Sequence, residues 1–469
     1  MKTWTTNLRW SSISVLIIMA LFLAACGGAA TPAAAPTEPP AAVPTAAPEP
    51  TKAPEPTATT APEPTPAPEA TAEPTTEAMS GEIAPGEIAA GEITVGLMTD
   101  DSGSLAVYGP LLERGFAMGL KYADEKLGLG ACKIDVVTKD NASDPDTAVK
   151  QARELIESEG ADVLVGTVSS GATLAVQNVA AENKIVLIAA PAASPDITGK
   201  NFNEYTFRTS RTSVMDALTM GAALVQQYKG PFVQIAPDYA FGQGSAAAFR
   251  SVVGANGGEF AADDIFIPQE TSDFTPYLQQ VLDSGAKVLI VTWAGAGFVP
   301  LFQQMQELGI FDEMTVATGI GDNQTLAKGY ADAIGSVGVN VYHYTLPHNS
   351  INDWLVEQHK AEYNEPPDLF TADGFAAAIM LMEGLKKTGC DASAQKLIPA
   401  FEGLEFDAAK GHYIIRKGDH VALQPMYLVR LDNVTDPDYK FLKLIQEFGP
   451  EEVAPPCAAP EDRCKMNEQ

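Results

Sequence analysis

Two loops carry side chains whose types and spacing suit the capture of a small ligand. Gly166-Thr167-Val168-Ser169-Ser170-Gly171-Ala172-Thr173 sets hydroxyls and glycines at the start of a helical stretch. Free backbone N–H groups and the helix dipole there favour a carboxylate. The same hydroxyls serve equally well as plain helix caps, so this loop alone leaves both roles open. Ala190-Pro191-Ala192-Ala193-Ser194-Pro195 is a second small-residue loop, open enough for a ligand to reach the backbone. Bond-breaking chemistry has no comparable signature. There is no GxSxG elbow, no GxxxxGK[ST] and no GxGxxG after a strand, and neither Gly295-Ala296-Gly297 nor Gly319-Ile320-Gly321 completes a phosphate fingerprint. His343, His348, His359, His412 and His420 contain no HExxH, and no two of the 5 cysteines have CxxC spacing, which excludes a zinc hydrolase of that type and a zinc ribbon. Acids are plentiful, so counting leaves a glycosidase-type carboxylate pair open, but nothing singles one out.

The elements around these loops alternate. Short β-branched runs at Ile93–Met98, Ile134–Val137, Asp162–Gly166 and Val186–Ala190 are separated by helical spacing at Leu111–Leu120 and Asp144–Glu157. The rhythm restarts at Phe232–Ile235, with a helix over Gly242–Val253 and strands at Val288–Trp293, Thr315–Thr318 and Val337–Tyr342. Helices follow near Asn352–Tyr363 and Asp373–Lys387, and the end, His412–Arg416 then Pro425–Leu431, reads as antiparallel. Strands regularly separated by helices form right-handed crossovers and a doubly wound parallel sheet. Two such runs make two α/β lobes, and ligands bind these sheets at the carboxyl ends of their strands.

With 60 acidic against 30 basic residues, the formal net charge of −30 argues against nucleic acid, which needs a basic patch to displace counterions. The 469 residues allow two or three domains. Lys2 and Arg9 precede an apolar run, Val15–Leu23, too short to span a bilayer comfortably, and then Ala24, Ala25 and Cys26. Leu23-Ala24-Ala25-Cys26 resembles the bacterial lipobox, which implies that residues 1–25 are a signal peptide, that Cys26 is acylated, and that lipid anchors the chain at the outer face of the cell membrane or in the periplasm. Residues 26–91 are mostly Pro, Ala, Thr and Glu; the Pro-rich part is expected to be a disordered tether. Gly81-Glu82-Ile83, Gly86-Glu87-Ile88 and Gly91-Glu92-Ile93 form a repeat whose third copy alone leads into a strand.

Several motifs occur in a telling order: Asp101 to Gly109 after the first strand, Gly166 to Thr173, Pro191-Ala192-Ala193-Ser194, Phe207-Arg208-Thr209, and Tyr239-Ala240-Phe241-Gly242-Gln243-Gly244. In this order the chain, from roughly Ile93 to Leu431, resembles the branched-chain amino-acid-binding proteins of ABC importers. The resemblance implies a type I periplasmic-binding fold, two doubly wound parallel-sheet lobes joined by three crossovers. Lobe one would be 92–210 plus 343–420 and lobe two 211–342 plus 421–450, with 451–469 a polar tail. It implies that the Ser170 hydroxyl and the Ala193 and Ser194 positions meet a ligand carboxylate, and that Asp322 meets an ammonium. Tyr108 and Phe370 match side-chain-pocket positions. Trp293 stands where the family has Tyr, Phe241 replaces another Tyr, and Tyr239 is placed to supply the lost hydroxyl. These departures point to a preferred ligand other than leucine.

Once Cys26 is acylated, Cys132, Cys390, Cys457 and Cys464 allow three connectivities. Within the implied fold, the helices preceding Cys132 and Cys390 both start at the cleft and end far from it in lobe one. A Cys132–Cys390 bridge follows, with Cys457–Cys464 as a local clip on the tail. The chain is thus expected to be a monomeric, lipid-anchored solute-binding protein without cofactor or catalysis, which delivers an amino-acid-like ligand to the permease subunits of an ABC importer. A tethered hydrolase and a ligand-sensing receptor module of the same fold are the rivals.

Overall fold

A computed structural model describes residues 92–228 and 230–468. The leader, Cys26 and the Pro-rich stretch lie outside them. In the first lobe β1 (Glu92–Thr99) leads to α1 (Gly109–Leu127), which has Pro110 in its first turn and ends at Gly128 in the left-handed region. Then come β2 (Lys133–Asp140), α2 (Pro145–Glu157), β3 (Val163–Gly166), α3 (Ser170–Asn183), β4 (Val186–Ala189) and β5 (Thr206–Arg208). Asp144 caps α2 by accepting from the Thr147 N–H at 2.8 Å. The strands lie in the order β2-β1-β3-β4-β5, all parallel. Because β3 and β4 are covered on both faces, every residue in them is buried, and so they read as unbroken apolar runs.

The chain then crosses into the second lobe. It forms α4 (Ser213–Tyr228), β6 (Pro231–Pro237), α5 (Ala240–Ala255), β7 (Glu259–Phe260), β8 (Ile265–Ile267), α6 (Thr275–Asp283) and β9 (Val288–Val291). After these come α7 (Phe298–Glu307), α8 (Ile310–Glu313), β10 (Thr315–Gly319), α9 (Asn323–Gly329) and β11 (Val337–Asn340). A return to the first lobe supplies α10 (Ser350–Tyr363), α11 (Thr371–Thr388), α12 (Ala394–Phe401), β12 (Glu405–Ala408), β13 (Gly411–Ile415) and β14 (Ala422–Leu423). A third crossing at Gln424 and Pro425 leads to β15 (Met426–Leu431) and β16 (Leu442–Phe448), which add antiparallel strands to the second sheet, ordered β16-β15-β11-β10-β9-β6-β7 with β8 also on β6. Both final segments expected to be antiparallel are so, each in the sheet of its own lobe. β13 pairs with β12 and β14, whereas β15 pairs with β11 and β16.

α1 and α11 pack backbone to backbone: a Cβ on Gly115 would meet the Thr371 carbonyl at 2.1 Å, so only glycine fits there. Cys132 and Cys390, just beyond the far ends of these helices, form a disulfide with a Cα–Cα distance of 5.5 Å. The segment after Gly449 is held down. Val453 is buried with Met215, Val339 and Met426 where the lobes join. Further on, α13 (Glu461–Cys464) carries Arg463 and is clipped to Cys457 by a second disulfide. Among the described residues no helix is long and apolar enough to cross a membrane.

Candidate ligand-binding site

The carboxyl ends of both sheets face one cavity of about 80 Å³. Its floor depends on Arg208 at the end of β5. This side chain is wholly buried and donates to the Ser194 carbonyl at 3.1 Å and to the Ala192 carbonyl, which fixes the loop after β4. Ser170, the first residue of α3, completes the floor, its Oγ accepting the N–H groups of Ala193 at 3.2 Å and Ser194 at 3.1 Å. Both of its partners are backbone amides, so Ser170 has the setting of a structural hydroxyl and not of a base-activated nucleophile. Ser170 and Ala193 line the cavity. Ser194 does not; its Oγ accepts from the Asp196 N–H at 3.4 Å and caps a short 3₁₀ turn.

The walls are aromatic. Tyr108, before α1, meets Phe370 edge-on at 4.8 Å, and Tyr239 and Phe241 at the start of α5 face each other at 6.0 Å. Trp293 follows β9, stands edge-on to Phe274 at 5.3 Å, and gives its N–H to the Ala296 carbonyl of its own loop at 3.0 Å, so only its ring is offered to the cavity. Burial pushes the Tyr108 and Tyr239 phenols well above their ordinary range, and both stay protonated as donors.

On the side away from the crossovers, hydrogen bonds run from one lobe to the other. The N–H of Gly295 donates to the Tyr108 hydroxyl at 3.1 Å, that of Ala296 to the Ser104 carbonyl at 2.7 Å, and that of Asn323 to Asp368 Oδ2 at 2.8 Å. Gly295 has φ 74°, and a Cβ there would lie 2.2 Å from the Ser104 carbonyl, so this approach requires glycine. On the opposite side Lys410 donates to Gln424 at 2.7 Å and Gln424 to the Thr209 carbonyl at 2.8 Å, which knits two of the crossovers.

Asp322 lies apart from the central cavity. It caps α9, accepting from the Thr325 N–H at 2.9 Å, and lines a neighbouring pocket with Arg114, Asn323, Glu365 and Asp368. Its place as the acid of the cavity is taken by Asp216 in the first turn of α4, paired through Oδ1 with Arg211 Nε at 3.3 Å. Burial raises the Asp216 carboxyl, and Arg211 opposes that rise. Neither residue was among those the sequence singled out. The signal available was Arg211 three residues beyond Arg208 at a strand end, followed by an acid at the start of a helix. Among the described residues no group of three or more His, Cys, Asp or Glu is placed to hold a metal.

Residues 92–436 match the sequence model of a family described as periplasmic binding protein. A Leu/Ile/Val-binding protein from Rhizobium johnstonii is 25% identical over 316 residues, covering 66% of this chain and 83% of its own length. A crystal structure described as an ABC-type branched-chain amino acid transporter, from Rhodopseudomonas palustris, is 36% identical with a TM-score of 0.66, and the match covers 79% of this chain and 100% of that one. A second R. palustris structure, an ABC-transporter solute-binding protein in complex with 3,4-dihydroxybenzoic acid, is 25% identical with a TM-score of 0.68, over 76% of this chain and 97% of that one.

Proposed function

Given that the chain belongs to the periplasmic binding protein family, alongside Leu/Ile/Val-binding homologues, we propose that it captures one small organic carboxylate between its lobes and delivers it to the permease of an ABC importer. The observation that carries this reading is the aromatic cavity walled by both lobes, with cross-lobe hydrogen bonds from Gly295, Ala296 and Asn323 fastening the lobes. Hinge closure around a solute excludes water and tightens its polar contacts, and no bond of the solute is broken. An amino acid is one ligand class; an aromatic acid is the other, favoured by the ring-lined walls and by the dihydroxybenzoate-bound relative. The moving bodies are 92–210 with 343–423, and 211–342 with 425–450, the last crossing falling after β14 because β14 pairs with β13 of the first lobe. Cleavage before Cys26 and acylation of its thiol hold a monomer to the outer face of the cell membrane, near the permease.

A thermal-shift screen of the full chain against amino acids, aromatic acids and their amides tests this. A solute at 100 times its dissociation constant stabilises the fold by about 2.7 kcal/mol. The solute must be recovered unchanged; its conversion, or the absence of any shift across the panel, sinks the reading. For the anchor, Cys26→Ser must release the protein from the membrane fraction.

A further inference from the structure

We infer that Arg211 is the carboxylate anchor of the cavity, positioned by Asp216, with the apolar body of the ligand lying against the aromatic wall. This deepens the solute-binding reading and rests on it.

Arg211 is 7% exposed and lies on the first crossover between the lobes. Its Nε donates to Asp216 at 3.3 Å and its Nη1 to the Pro191 carbonyl at 3.3 Å. Its Nη2 has no partner among the described residues, while the side chain forms part of the cavity wall. A guanidinium carries five donors in a planar fork matched to a carboxylate. Nη2 is not sealed off, so its free donors face the cavity, where a ligand carboxylate would replace water with a charge-assisted pair. Phe370, with its centroid 5.8 Å from the guanidinium carbon, sets the ring-lined wall beside this group.

The surrounding charges favour an anion. Arg208, Arg211 and Lys410 are buried together near Asp216 and Asp373, while Asp419 is matched by Arg416. On this side cations outnumber carboxylates three to two, whereas Asp100, Asp322 and Asp368 act on Tyr108 and Tyr239, so the carboxylate end of a ligand is favoured beside Arg211. Ser170 accepts from two backbone amides and keeps its O–H to donate, so it offers the same carboxylate a neutral second donor while Arg211 supplies the charge. Amino acids and aromatic acids share the carboxylate, so the anchor applies to both, and the choice between them rests on the rest of the molecule.

The test is calorimetric titration of the full chain with 4-hydroxybenzoate, L-phenylalanine and L-leucine, and with the uncharged 4-hydroxybenzamide. The change in intrinsic tryptophan fluorescence that is lost in Trp293→Phe gives a second readout. At least one carboxylate must bind, the benzoate at least tenfold more tightly than its amide if an aromatic acid is the ligand. Arg211→Gln must weaken the bound acid at least a hundredfold, and Arg211→Lys less. Asp216→Asn, which keeps an acceptor for Nε, must retain more affinity than Asp216→Leu. Should Arg211→Gln fail to fold, the acid-to-amide ratio in the unaltered chain and the Lys variant still decide. Equal binding of acid and amide, or unchanged affinity in Arg211→Gln, overturns the anchor. So does failure of all three carboxylates while an uncharged solute raises the melting temperature. Failure of every solute in the wider screen instead overturns the solute-binding reading beneath it.

Discussion

The Gly295 N–H of the second lobe donates to the Tyr108 hydroxyl of the first at 3.1 Å, so a ring that walls the cavity also fastens it. Tyr108→Phe keeps the ring and its edge contact with Phe370 but leaves that N–H unmet in the closed form. An unmet buried donor costs about 1–2 kcal/mol, which is about 5–30-fold in ligand affinity. Gly295→Ala should cost more, because its Cβ would lie 2.2 Å from the Ser104 carbonyl and hold the lobes apart. Titration of both variants with the ligand found by screening checks the order; a Phe variant that binds as tightly as the parent removes the fastening role of Tyr108.

Stability should fall as pH rises from about 6.5 to about 8. Burial lifts Asp100 and Asp373 to about 6, and burial together with the Asp322 charge lifts Asp368 to about 8. In the unfolded chain these groups lose their protons near 4. The folded form therefore holds more protons across this window, so the stabilisation is full below about 4 and is lost as pH climbs through the folded values. Asp140 and Glu402 are shifted the other way, Asp140 through hydrogen bonds from Ser102 and neighbouring amides that outweigh its burial, and Glu402 first through His420. Their contribution is present above about 4 and lost below it. Burial also holds the His343 and His359 imidazoles below their ordinary range, an opposing contribution that grows up to about pH 6.5. Thermal melts at half-unit pH steps should therefore decline most clearly between about 6.5 and 8, and Asp368→Asn should flatten that decline. A parent profile that rises steadily to pH 8 contradicts the assignment.

The doubly wound architecture was readable because parallel strands buried on both faces leave an unbroken apolar signal, as in Val163–Val165 and Val186–Ala189. Elements without that signal escaped. β5 is three residues long, and β16 is an edge strand with most of its side chains exposed. The two final segments were legible as antiparallel, but their partners were not: β12, β14 and β16 are short or exposed, and the chain between β14 and β15 changes lobes. The aromatic side of the cavity followed from the family resemblance, since Tyr108, Tyr239, Phe241, Trp293 and Phe370 all line it. Its charged side did not. Asp322 is a helix cap, and the pairing of Arg211 with Asp216 depends on where a crossover meets a helix start, which no local spacing encodes.

The Cys132–Cys390 bridge closes a loop with a sequence separation of 258 at the ends of α1 and α11 away from Tyr108 and Phe370. Chain-entropy reasoning puts its contribution at about 2–5 kcal/mol. Since α1 has 19 residues, about 28 Å of helix separates the bridge from the cavity. The Cys132→Ser, Cys390→Ser double variant should melt several degrees lower yet bind its ligand within about twofold of the parent. A large loss of affinity without a loss of stability contradicts that separation.

Arg463 holds the C-terminal segment against the first lobe, donating to Glu402 at 2.6 Å and to the carbonyls of Lys417 at 2.7 Å and Gly418 at 3.1 Å. Ten residues earlier, Val453 is buried beside Met215, Val339 and Met426, where the lobes join. The segment thus bridges both sides of the hinge. Hydrogen bonds from a charged donor contribute about 1.5–3 kcal/mol, so Arg463→Ala should lower the melting temperature by several degrees. If the segment also restrains the hinge, truncation after Gly449 should widen the ligand-free particle in small-angle scattering and speed ligand association. Unchanged scattering and association rates in the truncated chain would confine the segment to stabilising the first lobe.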